Sequence, residues 1–126
     1  MVNAAPSLRV LVVEDSRVTV KKLTAMIEQI GHRVVGVATS GHEALDAYRT
    51  CSPDLVTMDI TMPDIDGVEA TRRILAEFPA ALIIMVTSRG QERMVVDSLK
   101  AGAKGYVLKP LMPERLAEMM TKATRS

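Results

Sequence analysis

Five short apolar runs, each too brief to be a helix and most ending abruptly on a polar residue, alternate along this chain with five stretches of helical periodicity. The runs occupy residues 8–13, 33–37, 55–58, 82–86 and 105–108. Strands that are apolar almost without interruption have both faces covered, which points to a parallel sheet rather than an antiparallel one with a wet side. Right-handed crossovers then place helices on each face. The expectation is an α/β fold of doubly wound type.

The helical stretches carry their own punctuation. Ser16 is placed to cap a first helix whose Val20, Leu23, Ile27 and Ile30 recur at helical spacing, with Gly31 just past its end. Ser40 and Glu43 form a capping-box pattern before Ala44, Leu45 and Tyr48, and that helix finishes before Pro53. A third helix spans about 68–77 and a more polar fourth about 91–101, closed by Pro79 and Gly102 respectively. Pro113 suits the first turn of a fifth, with Leu116, Met119, Met120 and Ala123 as its apolar stripe. Residues 1–7, with Pro6, read as a flexible lead and 8–126 as one domain. The strand order adopted is the flavodoxin-like 2-1-3-4-5 of a (βα)5 sheet, because it joins the ends of strands one and three at a switch point, where open sheets build their sites.

Composition narrows the classes. A chain of 126 residues suffices for one core and is too short for a core plus a separate output module. A net charge of +1 offers no overall basic field for nucleic acid, and no block of like charge suggests a membrane-binding stretch. Cys51 stands alone, which excludes an internal disulfide and fits a reducing compartment. The early apolar segment is too short for a signal peptide or a membrane span. A cytoplasmic protein is expected.

Under the 2-1-3-4-5 order the carboxyl ends of four strands deliver Glu14, Asp15, Asp59, Thr87 and Lys109 to one crevice. Three converging carboxylates repel, each close pair by on the order of 4 kcal/mol at an effective dielectric near 20. A proton or a cation must be present, and oxygen-only ligands suit Mg²⁺, which shares a few carboxylates with a phosphate. Lys109 adds a point charge and Thr87 a hydroxyl donor. Together these are the parts needed to transfer a phosphoryl group to a carboxylate, with Asp59 as the acceptor.

At these residues the chain resembles the response-regulator receiver family, and the single-domain chemotaxis regulators of the CheY type in particular. The resemblance covers about residues 8–123. Five separated motifs carry it in order: Val12-Val13-Glu14-Asp15, Met58-Asp59, Met62-Pro63 with Asp66-Gly67, Val86-Thr87-Ser88, and Tyr106-Val107-Leu108-Lys109-Pro110. The resemblance implies that Asp59 is the phosphoacceptor and that Glu14 and Asp15 hold Mg²⁺ with Asp59 and the backbone carbonyl of Thr61. It makes Thr87 the switch hydroxyl, Lys109 the phosphate-binding lysine before a cis-proline at Pro110, and Tyr106 the aromatic that turns inward on activation. It implies a CheA-like histidine kinase, or a small acyl phosphate, as donor and a protein target such as the flagellar motor switch. It further implies a monomer that assists its own phosphorylation and hydrolysis and is not otherwise an enzyme. Glu14 stands where aspartate is commoner, and Thr61 and Arg89 occupy positions that tune the phosphoryl lifetime in the family.

Other polar and sulfur-bearing residues read as structural. Asp64 and Asp66 are turn-formers, His32 and His42 are exposed and without partners, and Cys51 is structural. The nine methionines fill core gaps, with Met94 and Met112 on an adaptable surface. Arg89, Gln91, Lys104, Tyr106, Met112 and Arg115 are candidates for the partner surface. The alternative function is a receiver excised from a larger regulator with an enzymatic or DNA-binding output domain. The stop at Ser126, a turn beyond the last apolar position, favours the stand-alone form. An aspartyl-phosphate hydrolase would need a second acid that Asp59-Ile60-Thr61 lacks, and a nucleotide cradle would need glycines where Glu14-Asp15-Ser16-Arg17 stands.

Overall fold

The computed structural model describes residues 7–125, so the expected lead falls outside the described residues except for Ser7. The elements run β1 (Arg9–Val13), α1 (Arg17–Ile30), β2 (Arg33–Ala38), α2 (Gly41–Cys51), β3 (Leu55–Asp59), α3 (Gly67–Glu77), β4 (Ile83–Thr87), α4 (Glu92–Ala101), β5 (Gly105–Leu108) and α5 (Pro113–Arg125). All neighbouring strands pair in parallel, in the order β2-β1-β3-β4-β5. This is the doubly wound, flavodoxin-like sheet that the alternation of patterns predicts.

Period-two alternation along each strand sorts the core into two layers. Val10, Val12, Leu55, Ile84, Val86 and Val107 face α1 and α5, where they meet Leu23, Ile27, Leu116 and Met120. Leu11, Val13, Val56, Met58, Ile83 and Met85 face the other way, against Ala44, Ala70, Ile74 and Val95 of α2, α3 and α4. Each Leu or Ile fully withdrawn from water contributes roughly 1.5–3 kcal/mol, so the central strands are the most firmly held part of the sheet. Met94 packs against this second layer rather than on an open surface, because it lies on the sheet-facing side of α4.

The helix ends follow local chemistry. Ser16 and Asp66 accept from the N–H groups of Thr19 and Glu69. Ser40 accepts from Glu43 N–H, but the Glu43 carboxylate answers Thr39 N–H instead of Ser40, so the box is displaced by one residue. Gly31 ends α1 with φ of 109°, a left-handed cap that costs glycine little. Two strands run one residue further than the apolar pattern, to Asp59 and Thr87. The ladder continues there, Ile60 N–H donating to Val86 O and Lys109 N–H to Thr87 O. His32 departs from expectation: it is half-buried, its Nδ1 accepts from Leu8 N–H at 2.9 Å, and burial lowers its pKa.

Candidate functional site

The carboxyl edge of the sheet gathers the predicted residues. Glu14 and Asp15 follow β1, Asp59 ends β3, Thr87 ends β4 and Lys109 follows β5. Carboxylate oxygens of Glu14, Asp15 and Asp59 lie within 4.8 Å of one another. Lys109 Nζ stands 3.4 Å from Glu14 Oε1 and 3.7 Å from Asp59 Oδ1, a single cation bridging two buried acids. Asp59 is 6% exposed, and Glu14 and Thr87 are 1% exposed. The Lys109–Pro110 peptide is cis.

Burial governs the electrostatics. It raises the pKa of Glu14 to about 7, helped by the Asp59 charge and opposed by the Ser16 N–H bond and by Lys109. Burial likewise raises Asp59, against the Lys109 charge, the Glu14 contact and the Thr61 backbone N–H. Glu14 Oε1 is fully buried and accepts no hydrogen bond, with Lys109 Nζ beside it. An orphaned acceptor among three oxygen donors is the environment a hard divalent cation satisfies, so the residues fit Mg²⁺.

The β3–α3 loop brings Thr61 over the site and closes tightly behind it. Gly67 N–H donates to Ile60 O at 2.7 Å, and a Cβ at Gly67 would collide with the backbone carbonyl of Asp59. Glycine is needed here for close approach. Asp64, expected only to shape the turn, reaches across to α2, where its two oxygens accept from Gly41 and His42 N–H at 2.8 Å. Its carboxyl pays a desolvation cost, but these backbone donors outweigh it and hold the pKa well below the usual carboxylate range. Sequence spacing gave no sign of this contact between the β3–α3 loop and α2.

Gln91 is the other departure. Its side chain is half-buried and turns toward the site, accepting from Thr87 Oγ1 and Ser88 N–H and donating to Thr61 Oγ1. The remaining surface candidates, Arg89, Lys104, Tyr106, Met112 and Arg115, are exposed. Tyr106 points outward at the edge of a groove of about 430 Å³ that Thr87, Val95, Val96, Leu99 and Leu108 also line. Sequence reasoning missed Val96, Leu99 and Leu108. Apolar residues on a helix and a strand read as core, yet β5 is an edge strand and these side chains stand clear of the layers beneath.

Known proteins bear directly on this arrangement. A family model described as the response regulator receiver domain matches residues 10–121. The chemotaxis protein CheY of Thermotoga maritima is 41% identical over 117 residues, which are 93% of this chain and 98% of that protein. The CheY of Bacillus subtilis is 40% identical over 114 residues, 90% of this chain and 95% of the other. Among solved structures, the CheX-CheY-BeF3-Mg+2 complex from Borrelia burgdorferi superposes with a TM-score of 0.88 at 34% identity, covering 94% of this chain and 90% of that one. No helix among the described residues is long and apolar enough to cross a membrane.

Proposed function

This chain belongs to the response regulator receiver family, and we propose that it is a cytoplasmic phospho-switch of a two-component system that takes a phosphoryl group on Asp59 and changes its affinity for a protein target. The observation that carries the reading is the Asp59 carboxylate itself, at the end of β3 with two further acids within 4.8 Å and the Lys109 ammonium at 3.7 Å. An Asp59 oxygen attacks phosphorus, the new P–O bond forms as the bond to the donor breaks, and the donor leaves with the electron pair. With a phosphohistidine donor the leaving group is imidazole; with an acyl phosphate it is a carboxylate.

Glu14, Asp15, Asp59 and the Thr61 carbonyl would hold Mg²⁺, which supplies positive charge for the phosphoryl oxygens. Lys109 Nζ, 3.7 Å from Asp59 Oδ1, is placed to meet a phosphoryl oxygen as a point charge. Thr87 offers one hydroxyl donor from the adjacent strand end. The BeF3 and Mg²⁺ bound by the Borrelia relative support both the acceptor and the cation.

Five of the seven exposed large apolar side chains among the described residues lie on one face; the other two, Val18 and Val37, stand together on α1 and β2. Val96, Leu99, Tyr106 and Leu108 stand out on α4 and β5 beside Thr87, and Met112 stands out just before α5. Movement of Thr87 toward a phosphate and of Tyr106 into the groove would reshape this face, which suits a protein target rather than nucleic acid. A histidine kinase of the chemotaxis type is the donor that the similarity to CheY favours.

Intact mass after incubation with Mg²⁺ and acetyl phosphate tests the chemistry. One added phosphoryl group, abolished in Asp59→Asn and by a chelator, is the expected result. Equal gain in Asp59→Asn would place the acceptor elsewhere.

A further inference from the structure

The Gln91 carboxamide joins the two loops that flank Asp59. Its Oε1 accepts from the Thr87 hydroxyl at 2.9 Å and from Ser88 N–H at 2.8 Å, and its Nε2 donates to Thr61 Oγ1. A backbone N–H can only donate, so the amide oxygen must face Ser88 and the nitrogen is left for Thr61. Gln91 also occupies the N-cap position of α4, where Ser16, Ser40 and Asp66 cap their own helices. It makes no such capping bond. Its side chain is engaged at the site instead.

A threonine hydroxyl has one proton to give. Thr87 directs it to Gln91 Oε1, with the Ser88 carbonyl as a second acceptor at 3.2 Å. While it lies on either, it is not available to an oxygen on Asp59. We propose that Gln91 is a latch on the resting state, a positioning residue that ties the Thr87 hydroxyl to Thr61 and must release it before a phosphorylated Asp59 can recruit it. This rests on reading Asp59 as the phosphoacceptor. Gln91 touches no reacting atom and acts through Thr87. Its release also frees the start of α4, so the event that completes the phosphate's hydrogen bonding loosens the helix bordering the exposed apolar face.

Calorimetric titration of the chain with beryllofluoride in saturating Mg²⁺ tests the latch, comparing the native protein with Gln91→Ala, Gln91→Met, Thr61→Val and Asp59→Asn. Removing a competing hydrogen bond should tighten binding roughly fivefold in Gln91→Ala. Gln91→Met fills much the same space without the amide, so the same gain there shows that it does not come from a void or an unravelled helix start. Thr61→Val keeps the backbone carbonyl and cuts only the far anchor, and should gain less. In spectra of the native chain, the Ser88 amide and the Gln91 side-chain amide should both shift as beryllofluoride is added. Native binding with unchanged or weaker affinity in both Gln91 variants overturns the latch and leaves the phosphoacceptor reading standing. Absence of binding in the native chain and in Asp59→Asn alike overturns both.

Discussion

Glu14 shows how a single buried acid ties stability to pH. Its carboxyl has an ordinary value of 4.5 and is raised to about 7 in the folded chain, chiefly by burial. Below 4.5 both folded and unfolded chains hold the proton. Between 4.5 and 7 the folded chain keeps a proton that the unfolded chain gives up, so stability falls as pH rises, and the loss is complete above 7. Asp59, also raised, acts in the same direction. In chelator, the native chain should therefore lose on the order of a few degrees of Tm across this window relative to Glu14→Gln, which cannot titrate. Saturating Mg²⁺ should shrink the difference, since it favours the ionised form. A native Tm that rises across the window faster than that of Glu14→Gln would refute the assignment. Gly67 makes a second test at this scale. Gly67→Ala drives a methyl into the Asp59 carbonyl, so Tm should drop and phosphoryl uptake should fall more steeply than in a control such as Lys104→Ala on the exposed surface.

At the scale of elements, the alternation of strands and helices was legible because each boundary is chemically local. Ser16, Gly31, Asp66, Gly102 and Pro113 act on the turn in which they sit. The positions of Glu14, Asp15, Asp59, Thr87 and Lys109 were legible for a related reason: each follows or ends a strand, and a parallel sheet brings these strand ends to one edge. Asp64 and Gln91 were not. Asp64 reaches Gly41 across 23 positions and Gln91 reaches Thr61 across 30, and no periodicity or cap pattern reports contacts of that range. Asp64 in particular adds capping across the fold to the local cap, accepting from Gly41 and His42 N–H while Ser40 accepts from Glu43 N–H. Asp64→Ala should lower Tm by roughly 3–6 °C, the usual consequence of a lost helix cap in a domain of this size. Hydrogen exchange should quicken at Gly41 and His42 while α5 remains protected. Unchanged exchange at those two amides would show that the Asp64 carboxylate does not hold them.

For the whole molecule, two tyrosines and no tryptophan make the proposed rearrangement observable. Tyr48 is half-buried and stacks obliquely on Phe78, with ring centroids 4.7 Å apart, whereas Tyr106 is 43% exposed at the edge of the groove. A soluble quencher should therefore act mainly on Tyr106 in the resting chain, and Tyr48→Phe would leave its emission as the only tyrosine signal. If Thr87 is drawn to a phosphate and Tyr106 moves into the space beside it, beryllofluoride with Mg²⁺ should sharply reduce the quenching constant. Thr87→Ala removes the hydroxyl that responds to Asp59 and should leave quenching unchanged even when beryllofluoride is bound. Loss of quenching that persists in Thr87→Ala would mean that Tyr106 responds to the occupied site by another route, for instance through the backbone bond from Lys109 N–H to Thr87 O that already joins β5 to β4. The apolar face of α4 and β5 would then be coupled to Asp59 through the sheet rather than through a side-chain hydroxyl.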